Sequence, residues 1–102
     1  MKKTVLYIGL NDKDTKTQLI NTDDAIMKVS EITLRIAEGA TLQQCIGIYT
    51  HENGVKVLEN SIMIILYDCS DLKAWAIISE CKKALNQESI LKEVSEIENY
   101  YI

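Results

Sequence analysis

The sequence contains a single histidine, four glycines and three cysteines. With His51 as the only imidazole, a Ser-His-Asp or Cys-His-Asp catalytic set could form only around that residue. His51 lies in a predicted hairpin turn, which is a poor place for a preorganised base. The glycines, at positions 9, 39, 47 and 54, match no phosphate-binding loop. We therefore expect a chain that is not an enzyme.

The cysteines Cys45, Cys69 and Cys81 are odd in number, and none are spaced C-x-x-C. We expect three reduced, partly buried thiols. A zinc site would need further ligands, which one histidine does not supply. The sequence therefore predicts no metal and no other cofactor.

The chain also lacks a basic stripe and a long apolar run. Its net charge is −4, so direct binding to nucleic acid is not expected, whereas an acidic surface is compatible with docking on a basic protein. No run approaches the roughly 18 apolar residues of a membrane span. The apolar start ends at Asn11, too early for a signal peptide. These features predict a cytoplasmic location without a membrane partner.

What the sequence does contain is one domain, residues 1–102, with two strongly apolar strands. Ser61–Tyr67 shows no polar alternation, which predicts a central strand buried on both faces. Lys3–Leu10 is the second candidate for a central strand. Within it, Gly9 suggests a bulge or a close approach to the backbone.

Two helices are predicted from the helical spacing of apolar residues and from capping residues at the helix ends. The first is predicted over 22–38, with Thr22 as N-cap and Gly39 as the stop. The second is predicted over about 71–85, with Ser70 as N-cap.

A hairpin lies between the helices. Asn53-Gly54 separates a strand over 41–50 from a strand that runs from Val55 to Tyr67, and Asn60 marks the change from an exposed half to a buried half. In the loop after the first strand, Asp12-Lys13-Asp14 fails the calcium-loop template, because Lys16 takes the fifth position and no glycine follows. We expect a solvated turn there.

The last stretch, 89–97, has helical spacing, but the order of the other elements favours a strand. A final strand completes β-α-β-β-α-β, the ferredoxin-like α+β fold with a four-stranded antiparallel sheet and two helices on one face. The first and third strands would then be central. The other face of the sheet would be bare in a monomer, which predicts a homodimer or another protein partner.

Two polar groups are candidate sites. Asn86-Gln87-Glu88, with Tyr7, could line a site for a small polar ligand, or the three could satisfy the carbonyls at a helix end. The acids Glu88, Glu93, Glu96 and Glu98 could form an acidic stripe that binds a basic groove on a nucleic-acid-binding partner, or they could protect an edge strand from pairing.

Four stretches carry a family resemblance: Leu6–Thr15, Gly39–Thr41, Gly47–Tyr49 and Ala84–Leu91. They resemble small uncharacterised ferredoxin-like proteins of bacteria and mobile elements, the DUF3574-like type. The resemblance implies a strand after the Gln-Glu-Ser stretch and lends no catalytic residue. In size, charge and N-terminal stretch the chain also looks like small acidic phage and plasmid proteins, some of which are anti-CRISPR inhibitors of Cas9-type nucleases.

The sequence thus predicts a non-catalytic, acidic protein-interaction module of a mobile element, with a nuclease as candidate partner. The alternative is a small dimeric α+β-barrel enzyme or ligand-binding protein, with a pocket between the sheet faces of two copies.

Overall fold

The computed structural model describes all 102 residues and contains one sheet and two helices. In chain order the elements are β1 (Lys2–Gly9), α1 (Thr22–Ala37), β2 (Thr41–Thr50), β3 (Lys56–Tyr67), α2 (Asp71–Ala84) and β4 (Leu91–Glu96). The strand order is β2-β3-β1-β4, and each neighbouring pair is antiparallel. The predicted ferredoxin-like α+β fold is confirmed, including the strand near the C-terminus.

The helix ends differ by one residue from the prediction at two of the three caps. Asn21, and not Thr22, caps α1, because its side chain accepts a hydrogen bond from the Asp24 N–H at 2.9 Å. At the other end Glu38, with φ of 66°, takes the left-handed position that was assigned to Gly39. Ser70 is confirmed as the N-cap of α2. Neither helix is long and apolar enough to cross a membrane.

Both helices pack on one face of the sheet, which we call the covered face. It presents branched aliphatic residues that are fully buried, among them Leu6, Ile8, Ile62, Ile64 and Leu66. Side chains alternate along a strand, so the residues between these point to the opposite side, the open face.

No helix lies on the open face. Met63 and Ile65 of β3 are only half-buried there. Burial of 61–67 on both sides is therefore wrong for the single chain, because both helices take the same side. The order of elements correctly predicted a face without helices, but this face is not bare. Val5 at its centre is only 3% exposed, and residues 97–101 lie beside Lys3 and Tyr67 at one end.

The β2–β3 hairpin continues beyond the end of β1. The last β1–β3 pair is Gly9 with Ser61, whereas β2 and β3 remain paired out to Thr50 and Lys56. Residues 46–59, which we call the arm, thus form a two-stranded ribbon. The molecule is correspondingly elongated, with extents of 46 × 24 × 23 Å.

The arm ends in a three-residue loop. The His51 N–H donates to the Val55 carbonyl at 2.9 Å, and Gly54 has φ of 84°. A turn followed by a left-handed glycine is a usual three-residue hairpin connection. The hairpin predicted from Asn53-Gly54 is confirmed, and only the glycine of that pair is left-handed.

The three cysteines are free thiols, as expected. Cys45 is half-buried, and Cys69 and Cys81 are buried. Burial raises the pKa of Cys81 to about 12. Since a thiol in that state is a poor nucleophile, the core cysteines act as packing groups.

Candidate functional site

A polar cleft lies on the open face, at the base of the arm. It forms where the end of β1, the loop after β1, the arm and the segment before β4 meet. Its volume is about 330 Å³, at the lower end of the range for small-molecule sites. The lining residues are Tyr7, Gly9, Asn11, Asp12, Lys13, Lys16, Tyr49, His51, Glu59, Gln87, Glu88 and Ser89.

Glu59 is the carboxylate that the fold holds in the centre of this cleft. Its side chain lies over Gly9, and its Oε2 accepts a hydrogen bond from the Asn11 N–H at 2.9 Å. A Cβ at residue 9 would lie 2.5 Å from the carboxylate. The close approach predicted at Gly9 is therefore confirmed, and the group that approaches is a side chain.

The second oxygen of Glu59 receives no hydrogen bond from the protein. Glu59 is half-buried, so this oxygen is partly shielded from bulk water. A shielded carboxylate with one free acceptor is suited to a cationic or donor ligand, because such a ligand would supply the missing partner.

Asp12 and Asn86 form a clasp between two loops of the cleft. Asp12 is only 8% exposed. Its Oδ2 accepts from the backbone N–H groups of Asp14 and Thr15 at 2.9 and 3.0 Å, and its Oδ1 accepts from Asn86 Nδ2 at 2.7 Å. In return the Lys13 N–H donates to the Asn86 carbonyl at 3.0 Å. The prediction of a solvated turn is wrong for Asp12, because these donors replace its water.

The clasp sets the charge state of Asp12. The hydrogen bond from Asn86, followed by that from the Thr15 backbone, lowers the pKa of Asp12 below its ordinary value. Asp12 therefore remains ionised at neutral pH, with both oxygens already bonded. We assign it to loop positioning, since it has little acceptor capacity left for a ligand.

Gln87 completes the connection between the loops. It is 9% exposed, and its Nε2 donates to the Asn11 carbonyl at 2.8 Å and to the Leu85 carbonyl at 3.3 Å. Its backbone N–H donates to the Lys82 carbonyl at 2.9 Å and closes the end of α2. The interpretation of this cluster as a helix-end cap is therefore confirmed for Gln87, whereas a ligand site there stays a prediction. Gln87 and Glu88 also line the cleft.

Of the remaining predicted site residues, Tyr7 lies on β1 and the four acids lie in the last third of the chain. Tyr7 Oη donates to Glu93 at 3.1 Å, and this bond raises the pKa of Tyr7. Glu96 lies 3.4 Å from the N-terminal ammonium, and Glu98 accepts from the Tyr100 hydroxyl at 3.2 Å. Glu88 is exposed at the cleft.

The register of β4 separates two of the predicted acids. Glu93 pairs with Val5 and lies on the open face, whereas Glu96 pairs with Lys2 and lies on the covered face. The structure thus brings Tyr7, Gln87 and Glu88 together at the cleft and places Glu96 elsewhere.

Sequence reasoning missed Glu59, which is the residue with the most distinctive surroundings. Two signals could have found it: a carboxylate in β3, the strand that also holds the longest apolar run of the chain, and a glycine in the neighbouring strand β1. Their proximity depends on the register, in which Gly9 pairs with Ser61, two residues from Glu59.

Comparison with solved structures finds a phage SAM lyase in complex with S-methyl-5'-thioadenosine. It shares 28% identity with the chain at a TM-score of 0.69, and the match covers 93% of this chain and 80% of that one. A phage SAM lyase in the apo state matches at 26% identity and a TM-score of 0.65, with 92% of this chain and 78% of that one covered.

A more distant structure has the same fold. The CutA protein from Archaeoglobus fulgidus shares 12% identity at a TM-score of 0.62, with 97% of this chain and 87% of that one covered. Sequence comparison with curated proteins finds no match.

Comparison with protein families tests the family resemblance that the sequence shows. Residues 3–100 match the family described as a protein of unknown function, DUF3574. Because the match spans nearly the whole chain and agrees with the observed fold, the chain belongs to the DUF3574 family.

Proposed function

We propose that this protein is an enzyme of the SAM-lyase type, which binds S-adenosylmethionine in the cleft and releases S-methyl-5'-thioadenosine. The observation that carries the proposal is Glu59, held over Gly9 with one carboxylate oxygen free. The likeness to the phage lyase over 93% of the chain supports it.

The composition of the cleft suits this ligand. S-adenosylmethionine carries a sulfonium cation, an α-carboxylate and an adenine ring. Glu59 offers a negative charge for the cation, Lys13 and Lys16 offer positive charges for the carboxylate, and Tyr7 and Tyr49 offer rings for stacking on adenine.

The reaction needs no external nucleophile. The bond between the sulfonium sulfur and the γ-carbon of the methionine part breaks, and sulfur keeps the electron pair. The substrate's own carboxylate oxygen bonds to that carbon, which gives homoserine lactone beside neutral methylthioadenosine. No proton, water or cofactor is consumed.

This balance explains how a chain with one histidine could act as an enzyme. The expectation of a non-catalytic chain depended on the missing nucleophile and base, and it stays a prediction. In an intramolecular displacement the protein has to fold the substrate so that its carboxylate reaches the γ-carbon. Glu59 would fix the sulfonium end of the substrate during this step.

The test is chromatography of S-adenosylmethionine incubated with the protein. We expect methylthioadenosine to accumulate, and Glu59→Gln to slow its formation by about 10²-fold, the typical cost of misplacing a reacting group. Glu52→Gln is the matched control, because Glu52 is an exposed acid at the tip of the same arm and should leave the rate unchanged. Absence of the product, or an equally active Glu59→Gln, would refute the proposal.

A second candidate function is the protein-interaction module predicted from the sequence. The exposed apolar side chains of the arm favour it, since large exposed apolar patches mark interaction surfaces. For the nuclease-inhibitor version, the chain is added to a Cas9-type cleavage assay. Inhibition at stoichiometric protein would support it, and unchanged cleavage at a large excess would remove it.

A further inference from the structure

Residues 12–17, which we call the cleft turn, close around the Asp12 carboxylate. The Asp12 N–H donates to the Thr17 carbonyl at 2.8 Å, and the Lys16 N–H donates to the Asp12 carbonyl at 2.8 Å. Two further N–H groups of the turn donate to the carboxylate itself. These hydrogen bonds set the internal shape of the turn. Its position relative to the cleft depends on contacts with the rest of the chain.

Asn86 supplies those contacts. Its Nδ2 donates to Asp12 Oδ1 at 2.7 Å and to Asp14 Oδ2 at 2.9 Å, and its carbonyl accepts from the Lys13 N–H at 3.0 Å. No other residue outside the turn forms a hydrogen bond with it. One side chain and one carbonyl, both of Asn86, therefore anchor the cleft turn to the segment between α2 and β4.

Two residues of this connection have left-handed backbone angles. Lys16 has φ of 62° and Asn86 has φ of 48°. Asparagine tolerates this region, whereas lysine rarely occupies it, and glycine would adopt it with less strain. A strained residue that lines a cleft indicates a role for its side chain. Lys16 is such a residue.

The cleft turn brings unpaired positive charge to the cleft. Lys13 and Lys16 both line it, and neither ammonium forms a salt bridge with a carboxylate of the chain. The nearby carboxylates of Asp12 and Asp14 are already bonded to Asn86. The two ammonium groups are thus available to an anionic group of a ligand, just as the free oxygen of Glu59 is available to a cationic one.

We infer that Asn86 is a positioning residue, which sets the cleft turn so that Lys13 and Lys16 select substrates with an α-carboxylate. The inference rests on the proposed function, since the carboxylate is that of S-adenosylmethionine. A hydrogen bond between an ammonium and a carboxylate is about twice as strong as a neutral one. Because this carboxylate is also the reacting group in lactone formation, its recognition would restrict binding to molecules that can react.

Decarboxylated S-adenosylmethionine is the probe for this selection. It keeps the adenosine and the sulfonium but has no carboxylate, so it cannot form a lactone and acts as a competitive inhibitor. We expect Asn86→Gly to raise the KM for S-adenosylmethionine about ten-fold, the factor that one charged hydrogen bond contributes. The inhibition constant of the decarboxylated compound should change less than about two-fold, because it does not use the lysines. Glycine keeps the left-handed backbone and removes only the Nδ2 bonds.

Two controls separate positioning from general damage. Glu38→Gly replaces another left-handed residue, with φ of 66° at the end of α1, and Lys28→Gln removes an exposed lysine of α1. Both should keep the wild-type constants. The double variant Lys13→Gln/Lys16→Gln should reproduce the change seen with Asn86→Gly. An Asn86→Gly that leaves both constants unchanged, or raises both equally, overturns the inference.

A wild type that releases no methylthioadenosine would refute the proposed function by itself. Both compounds would then be unreacted ligands, and isothermal titration calorimetry on the wild type and Asn86→Gly would give their affinities. A preference for S-adenosylmethionine of about ten-fold that Asn86→Gly abolishes would support the inference. Equal affinities in the wild type, or binding of neither compound, would overturn it.

Discussion

The two faces of the sheet are built from the same strands but from different kinds of residue. Beneath the helices, the covered face of β1 and β3 presents mainly leucine and isoleucine, and Leu6, Ile8, Ile62, Ile64 and Leu66 are fully buried there. The open face of those strands includes Tyr7, Gly9 and Glu59 together with half-buried Met63 and Ile65. Burial beneath the helices explains these aliphatic side chains. On the open face, Gly9 is explained by the Glu59 carboxylate that lies over it, and the free oxygen of Glu59 is what contacts within the chain leave without a partner.

This difference indicates that alternate residues of the same strand have different roles. Consecutive residues of β3 alternate between stabilising the chain and presenting a surface, because successive side chains point to opposite faces. A substitution on the covered face should therefore change stability first. One on the open face should change binding or assembly first, with the fold retained.

The largest expected effect on stability comes from Ile64→Ala. Ile64 is fully buried beneath the helices, and truncation of a buried isoleucine usually costs about 2–5 kcal/mol, because a cavity remains. The adjacent Ile65→Ala removes the same atoms on the open face and should cost about 1 kcal/mol. Urea unfolding of both variants measures the difference.

That comparison is made at a protein concentration at which light scattering shows the chain to be monomeric. Equal losses at positions 64 and 65 would mean that both faces are buried to the same degree in solution. Such a result would contradict the conclusion that the two faces of the strands have different roles.

A smaller effect, on binding, is expected from Gly9→Ala. The new methyl group would meet the Glu59 carboxylate, and this flexible side chain can move away with a stability change within about 1 kcal/mol. Once moved, Glu59 loses its hydrogen bond to Asn11 and its place beside the sulfonium, and we expect the affinity for S-adenosylmethionine to fall about ten-fold, or ~1.4 kcal/mol. The KM for S-adenosylmethionine in the methylthioadenosine-release assay reports this change.

Gly39→Ala serves as the control for this substitution. Gly39 has no atom near the position of an added Cβ, so affinity should stay at the wild-type value. If Gly9→Ala also bound normally, the position of Glu59 over Gly9 would have no role in binding.

Most of the fold was predictable because it follows from burial patterns and chain order. Asn53-Gly54 and the apolar runs located the hairpin and the two central strands. The order of elements decided that 89–97 holds a strand, where periodicity alone indicated a helix. The caps were less accurate, since Asn21 and Glu38 took positions assigned to their neighbours, and such choices depend on local hydrogen bonds.

The candidate site was only partly predictable. Asn86, Gln87 and Tyr7 were recognised because polar residues near a helix end or in an apolar strand stand out. Glu59 was not, because its significance arises from the register that places it over Gly9, and register is a property of the folded sheet. Asp12 was taken for a solvated turn because its partner, Asn86, lies 74 residues away.

The smallest expected effect is on how the stability of the fold depends on pH. It distinguishes the loops of the cleft from the rest of the surface. The hydrogen bond from Asn86 lowers the pKa of Asp12 in the folded state below its ordinary value of 3.8. Ionised Asp12 therefore stabilises the folded state at pH values above 3.8. This stabilisation is lost as the pH falls through the pKa of folded Asp12. We therefore expect Asp12→Asn to be less stable than the wild type at neutral pH, and the gap in urea midpoint to narrow as pH falls below about 4. Glu31→Gln, at an exposed carboxylate of α1, should remain parallel to the wild type throughout. A gap for Asp12→Asn that is constant with pH would show that the clasp does not depend on the charge of Asp12, and that the loops at the cleft are held by neutral hydrogen bonds alone.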